Sequence, residues 1–212
     1  MSLWLTFNVN DVAAILLAAG RSRRMGEFKP LLPFGDQTVI ESSIKNLGAA
    51  GINEITVVLG HRAHEVQKQL TNFDVGFACN PDPDSEMSVS IAVGVEKISP
   101  HVKAILIALV DHPAVPPSVI MQLIDEWQRG DARLVQPEYK GQGGHPVLID
   151  LSYRPALSNL DPQRGLRSLF DAHRSEVRRL IVDSPYVARD MDTWEDYLRL
   201  HQDVFGRLPR DA

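Results

Sequence analysis

Two runs, "VAAILLA" at residues 12–18 and "KAILIALV" at 103–110, are apolar almost throughout instead of alternating. A strand with one wet face alternates with a period of two. Continuous apolarity therefore requires cover on both faces, as in a parallel sheet held between helix layers. The rest of the chain fits that frame. "EITVVLG" (54–60), "VGFAC" (75–79) and "ARLVQP" (132–137) read as further strands. Between them, residues 38–51, 63–72, 87–98 and 116–130 carry apolar side chains at three-to-four spacing and read as helices. "HPVLI", "GLRSLFDAH", "VRRLIVD" and a last helix, "TWEDYLRLHQDVFG", follow. The pattern predicts a three-layer α/β, Rossmann-like fold with a mostly parallel sheet. One domain is expected over residues 1–212, with 1–10 as an N-terminal extension.

At 212 residues, with 44% hydrophobic and 23% charged, the chain can bury one proper core. It has no run of about 18 apolar residues, and "MSLWLTFNVN" lacks the basic start and apolar length of a signal peptide. A cytoplasmic protein without membrane contact is expected. Cys79 is the only cysteine, which excludes an internal disulfide, and its setting in "VGFACN" predicts that it packs within a strand. The net charge of −5 argues against a nucleic-acid-binding surface, so any anion site must be a local basic cluster.

One such cluster follows the first strand. "LAAG" ends that strand, and Arg21, Arg23, Arg24 and Lys29 come directly after it. In open parallel sheets ligands bind outside the carboxyl ends of the strands, where a glycine turn lets backbone amides approach a phosphate. Glycine and charge alone fit a plain solvated turn as well. Two familiar phosphate motifs are absent. Gly26 is followed by Glu27 and Phe28, not by the lysine and hydroxyl of a Walker A loop. Counting from Gly20, the dinucleotide fingerprint would need glycines where Ser22 and Met25 stand.

The whole string "LAAGRSRRMGEFKPLLP" resembles the Leu-Ala-Ala-Gly-x-Ser-x-Arg-Met-Gly-x-x-Lys-x-Leu-Leu-Pro signature of the MobA-like nucleotidyltransferases. Within that family it is most similar to the molybdenum cofactor cytidylyltransferases. The resemblance implies that Leu17, Ala18, Ala19 and Gly20 hold the nucleotide, with Arg24 and Lys29 as a charged clamp. Arg21 and Arg23 fall at variable positions and read as solvated surface. "ALVDHP" is similar to the family's Asp-x-Pro and implies Asp111 as a magnesium ligand. "DMDTWEDY" resembles the closing Asp-x-Asp-Thr-Pro-Glu-Asp-Tyr and implies Asp192 as its partner. Trp194 stands in place of proline, which alters the first turn of the last helix but not the ligand. "GGHPVLI" and "RGLR" imply His145 and Arg167 on the acceptor side. Asn80 and Ser90 are implied contacts to base or ribose, although Glu86 stands where the family has glycine. From the residues alone, Asp111 also reads as a turn residue ahead of Pro113, and Asp192 as a helix cap. His112 and His145 lack metal spacing and read as packing or local hydrogen-bonding residues, with His145 also a candidate substrate contact. Asp82, Asp84 and Glu86 form an acidic loop expected to face solvent.

Nucleotidyl transfer explains this inventory. An acceptor phosphate monoester has a second pKa of about 6, so it is largely ionised at neutral pH and needs no strong general base. The obstacle is repulsion between polyanions, which magnesium and fixed cations relieve. The leading expectation is Mg2+-dependent transfer of CMP from CTP to the terminal phosphate of molybdopterin, serving a hydroxylase of the xanthine dehydrogenase type. A GTP-using molybdopterin guanylyltransferase is the runner-up. Family members of that kind usually carry Leu-Ala-Gly-Gly, where this chain has Ala18-Ala19-Gly20. A sugar- or polyol-phosphate nucleotidyltransferase and a non-catalytic cofactor carrier are the remaining alternatives.

Overall fold

The computed structural model describes residues 11–82 and 84–209; the expected extension at 1–10 lies outside the described residues. The chain begins with β1 (Val12–Ala18), the short hairpin β2 (Pro33–Phe34) and β3 (Gln37–Thr38), then α1 (Val39–Ala49). Next come β4 (Glu54–Leu59), α2 (Ala63–Gln69), β5 (Gly76–Cys79), α3 (Met87–Lys97), β6 (Ala104–Leu109) and α4 (Pro117–Gln128). The second half holds β7 (Leu134–Tyr139), β8 (Gln142–Gly143), β9 (Val147–Asp150), α5 (Arg154–Leu157), α6 (Leu166–Ala172), β10 (Val177–Ile181) and α7 (Trp194–Phe205).

The main sheet runs β10-β7-β9-β6-β1-β4-β5, with β8 attached to β7. Its centre is parallel, β1 pairing in that sense with both β4 and β6. The exceptions are β8, antiparallel to β7, and β9, antiparallel to both β6 and β7. The reason lies in the connection. Lys140 and Gly141, at φ 49° and 83°, form a two-residue turn between β7 and β8, and so short a link cannot make the crossover a parallel neighbour needs.

Both faces of the sheet are covered, as the apolar runs require. Val12, Ala14, Leu16 and Ala18 of β1 point to a core layer shared with Ile40, Ile44 and Leu47 of α1 and Leu123 of α4. Ala13, Ile15 and Leu17 point the other way, onto Ile91 and Val95 of α3 and Leu157, Leu166 and Leu169 of α5 and α6. Contact with α3 is close enough to demand a glycine: a Cβ at Gly94 would lie 2.7 Å from Ile15 Cγ2 and 2.9 Å from Val58 Cγ2. A third, smaller cluster joins Met25, Leu32, Phe34 and Val39 to Met191, Tyr197 and Leu200. It fastens α7 onto the loop after β1. Cys79 departs from expectation: it ends β5 and is exposed, because the strand finishes there at the sheet's edge.

Candidate active site

The loop after β1 is shaped to leave backbone bare. A Cβ on Gly20 would meet nothing within 4 Å, so no packing contact demands a glycine there, and its absence of a side chain leaves the turn open. Among the described residues the amides of Gly20 to Arg24 make no backbone hydrogen bond, which leaves these donors without a backbone partner. Ser22, at φ 54°, then folds the chain back. Its carbonyl accepts from the amides of Met25 (3.1 Å) and Gly26 (3.2 Å). Its hydroxyl accepts from the Lys29 amide at 3.1 Å. Lys29 opens the short 3-10 turn Lys29–Leu31, and its side chain is only 10% exposed.

The third core cluster brings a distant carboxylate to that lysine. Tyr197 is buried, and its hydroxyl donates to the Pro33 carbonyl at 2.6 Å, which pins α7 to the loop. Thr193 and Asp196 form a reciprocal capping box at the start of α7, so Asp192 is held just ahead of the helix. Lys29 Nζ donates to Asp192 Oδ1 at 2.7 Å across 163 positions of sequence. The same ammonium lies 3.8 Å from Asp111 Oδ2, beyond the end of β6. Arg24 Nη1, largely exposed, reaches Asp192 Oδ2 at 2.8 Å. Asp111 and Asp192 therefore share one cation in one crevice.

Asp111 is poised for more than this contact. Its Oδ1 is enclosed and makes no hydrogen bond. Burial raises its pKa above the ordinary carboxylate value; the charges of His112 and Lys29 pull the other way, and Asp192 and Asp190 add to the rise. His112 faces it with Nε2 3.7 Å from Oδ1 and is anchored through Nδ1, 3.2 Å from the Tyr186 carbonyl oxygen. Among the described residues no set of three His, Cys, Asp or Glu could hold a metal. Two carboxylates with an unsatisfied buried oxygen nevertheless suit a hard divalent cation, which takes its remaining oxygens from substrate phosphates and water. The residues fit such a metal.

A pocket of about 230 Å³ opens over this cluster, lined among others by Leu17, Ala19, Gly20, Lys29, Asn80 and Asp111. Ser90 also lines it. Asn80 is buried and donates from Nδ2 to the hydroxyls of Ser90 and Ser85, both at 2.9 Å. Glu86 at the family's glycine position costs nothing locally: its φ of −66° suits any residue, and α3 still begins at Met87. Trp194 likewise takes the first position of α7 with the capping box intact. Arg21, Arg23 and Asp84 are exposed, as the sequence leads one to expect, and they pair across that surface: Arg21 Nη2 lies 2.8 Å from Asp84 Oδ2, and Arg23 pairs with Asp84 Oδ1. Opposite charges on facing loops account for the pairing.

A second pocket, about 610 Å³, adjoins the first at Met87 and holds His145 and Arg167 together with Glu86, Gln136, Arg164 and Arg179. Gly144 is forced here, because a Cβ would sit 2.0 Å from the Val187 carbonyl oxygen. The His145 amide donates to that same oxygen at 2.8 Å. His145 is half-buried, its enclosed Nδ1 has no partner, and desolvation together with the nearby His112 pushes its pKa down to about 4. It is a neutral imidazole at physiological pH.

The structure thus gathers Leu17, Ala19, Gly20, Lys29, Asn80, Ser90, Asp111 and Asp192 around one crevice. Arg24 stands at its rim, and Ala18 faces the core. His145 and Arg167 belong to the adjoining pocket. Ser22, Ser85 and Gln136 were not singled out as site residues. Ser22 occupies a fixed position of the loop signature and could have been found from it; the other two carry no motif.

Fold and site together define a nucleotidyltransferase with the architecture of the nucleotide-diphospho-sugar transferases. The chain belongs to the MobA-like NTP transferase domain family, whose model matches residues 14–177. It is 29% identical over 199 residues to nicotine blue oxidoreductase of Paenarthrobacter nicotinovorans, covering 89% of this chain and 96% of the relative. It is 24% identical over 192 residues to molybdenum cofactor cytidylyltransferase of Escherichia coli K12, covering 90% and 95%. Among solved structures, Rv0371c of Mycobacterium tuberculosis H37Rv superposes with a TM-score of 0.82 at 28% identity, covering 92% of this chain and 100% of that one. The same Rv0371c protein has also been solved in complex with manganese. Among the described residues no helix is long and apolar enough to cross a membrane.

Proposed function

We propose that this enzyme transfers CMP from CTP to the terminal phosphate of molybdopterin and releases pyrophosphate, acting as one domain across the chain. The observation that carries the reading is the meeting of Lys29, Asp192 and Asp111 beside a turn of unpartnered amides. Such a cluster suits reacting polyanions. The amides from Gly20 onward receive the phosphates, and Lys29 and Arg24 offset charge on the departing pyrophosphate. Asn80 and Ser90 lie where base or ribose would be held. Asp111 and Asp192 would hold Mg2+. The bound ion supplies Lewis-acid neutralisation of the phosphate oxygens.

The larger pocket takes the acceptor. Its arginines suit an anionic substrate, and neutral His145 can hydrogen-bond to it without adding charge. No side chain need act as a strong base, since the attacking phosphate is already ionised. CTP is preferred to GTP on the resemblance of Ala18-Ala19-Gly20 to the cytidylyl-transferring members. A cytoplasmic location and delivery to a xanthine-dehydrogenase-type hydroxylase complete the proposal.

The relative named an oxidoreductase raises hydride transfer as a second reading. That chemistry gives the Lys29–Asp192–Asp111 cluster no task, and the dinucleotide fingerprint is missing after β1. The readings separate when purified protein, Mg2+ and molybdopterin are incubated with each nucleoside triphosphate in turn. Pyrophosphate is expected with CTP above all others. Pyrophosphate appearing only with a sugar phosphate as acceptor, or from no nucleotide, contradicts the proposal.

A further inference from the structure

The two carboxylates assigned to the metal are already neutralised by the protein's own cations. Lys29 Nζ sits between them, 2.7 Å from Asp192 Oδ1 and 3.8 Å from Asp111 Oδ2, and Arg24 Nη1 holds the other oxygen of Asp192 at 2.8 Å. Two negative charges meet two positive ones. The Lys29 ammonium is nearly enclosed, so solvent screens this contact little, whereas Arg24 is 77% exposed. Lys29 also lines the nucleotide pocket beside Gly20 and Ser22, within reach of a ligand there on a flexible stem.

We infer that Lys29, aided by Arg24, is a resident counter-ion of the aspartate pair, so that nucleotide and divalent cation bind by a coupled exchange. The inference rests on the reading of Asp111 and Asp192 as metal ligands. A divalent cation arriving alone meets carboxylates that are already compensated, and it crowds two cations that pair with no other carboxylate among the described residues. A triphosphate arriving alone brings its charge towards two carboxylates while the cations it needs are held on Asp192. When both arrive, the phosphates draw off Lys29 and Arg24 as the divalent cation takes the aspartates. Each ligand thus raises the affinity of the other, and the coupling is reciprocal. Lys29 consequently opposes metal binding in the absence of nucleotide and promotes nucleotide binding in the presence of metal.

Manganese is a suitable probe, because its free hydrated ion gives an electron paramagnetic resonance signal that bound ion loses. With Mn2+ alone, Lys29→Met should bind the ion at least about tenfold more tightly than the wild-type chain, and Arg24→Gln about two- to threefold more tightly. At saturating Mn2+, equilibrium dialysis of labelled CTP should show both variants binding the nucleotide more weakly. Arg24 is exposed, so its variant keeps the test alive if Lys29→Met does not fold. If neither variant gains affinity for Mn2+ alone while Asp192→Asn loses it, the exchange is overturned and the metal assignment stands. If Asp111→Asn and Asp192→Asn both keep wild-type affinity for the ion, the assignment itself falls, and the exchange with it.

Discussion

Asp111 shows how a buried carboxylate can work against the fold that carries it. Asp111 has a folded-state pKa raised chiefly by burial. A raised carboxyl pKa contributes stability only at low pH, and that contribution is lost as pH rises through the folded value, so the ionised group is a burden near neutrality. Asp111→Asn should therefore melt no lower, and by this argument higher, than the wild-type chain at pH 7. Its turnover should fall by about a hundredfold or more, a split that calorimetry and a pyrophosphate assay measure together. His145 has the opposite linkage. Its pKa is lowered from 6.5 to about 4, so its contribution is full above the unfolded value and is lost as pH falls through that window. Urea unfolding at pH 7 and pH 4 should show the wild-type chain losing about 3 kcal/mol more than His145→Gln over that interval. At this scale the sequence was informative wherever a motif carried the residue, as with Arg24, Lys29, Asp111 and Asp192. It was silent about Asp84, whose pairing with Arg21 and Arg23 depends on two loops meeting in space.

Among the elements, α7 is the one that completes the site. The motif at its start marks Asp192, but its amphipathic face could pack against any layer. What directs it is the cluster of Met25, Phe34, Met191 and Tyr197, which ties it to the loop after β1. Its entry is fixed by the Thr193–Asp196 box, so Thr193→Ala should cost about 1 kcal/mol of stability. Turnover should drop further than that loss explains, because Asp192 is the preceding residue. A second variant examines α3: Gly94→Ala places a methyl group against Ile15 and Val58 and should destabilise by about 1–3 kcal/mol in denaturant titration. Strands and helices were largely legible from apolar runs and three-to-four spacing. The reversed direction of β9 was not, since direction depends on the length of a connection and leaves no mark on the strand's own pattern.

For the molecule as a whole, an acidic chain of net charge −5 concentrates cations on the loop that follows its first buried strand. The two pockets adjoin at Met87. The layered fold followed from the sequence. His145 and Arg167 were legible from motifs, whereas the pocket that joins them to Glu86, Gln136, Arg164 and Arg179 was not, because those residues come from separate elements. What distinguishes the proposed reaction is that a nucleotidyl group moves, and not a terminal phosphate or a hydride. The direct measurement follows radioactive CTP, labelled at either the α or the γ phosphate, in the presence of Mg2+ and molybdopterin. The α label should pass to the acceptor while γ label leaves as pyrophosphate, and both should slow by about a hundredfold or more in Asp111→Asn. Label that stays in CTP, γ label on the acceptor, or transfer undiminished in that variant would contradict the proposal.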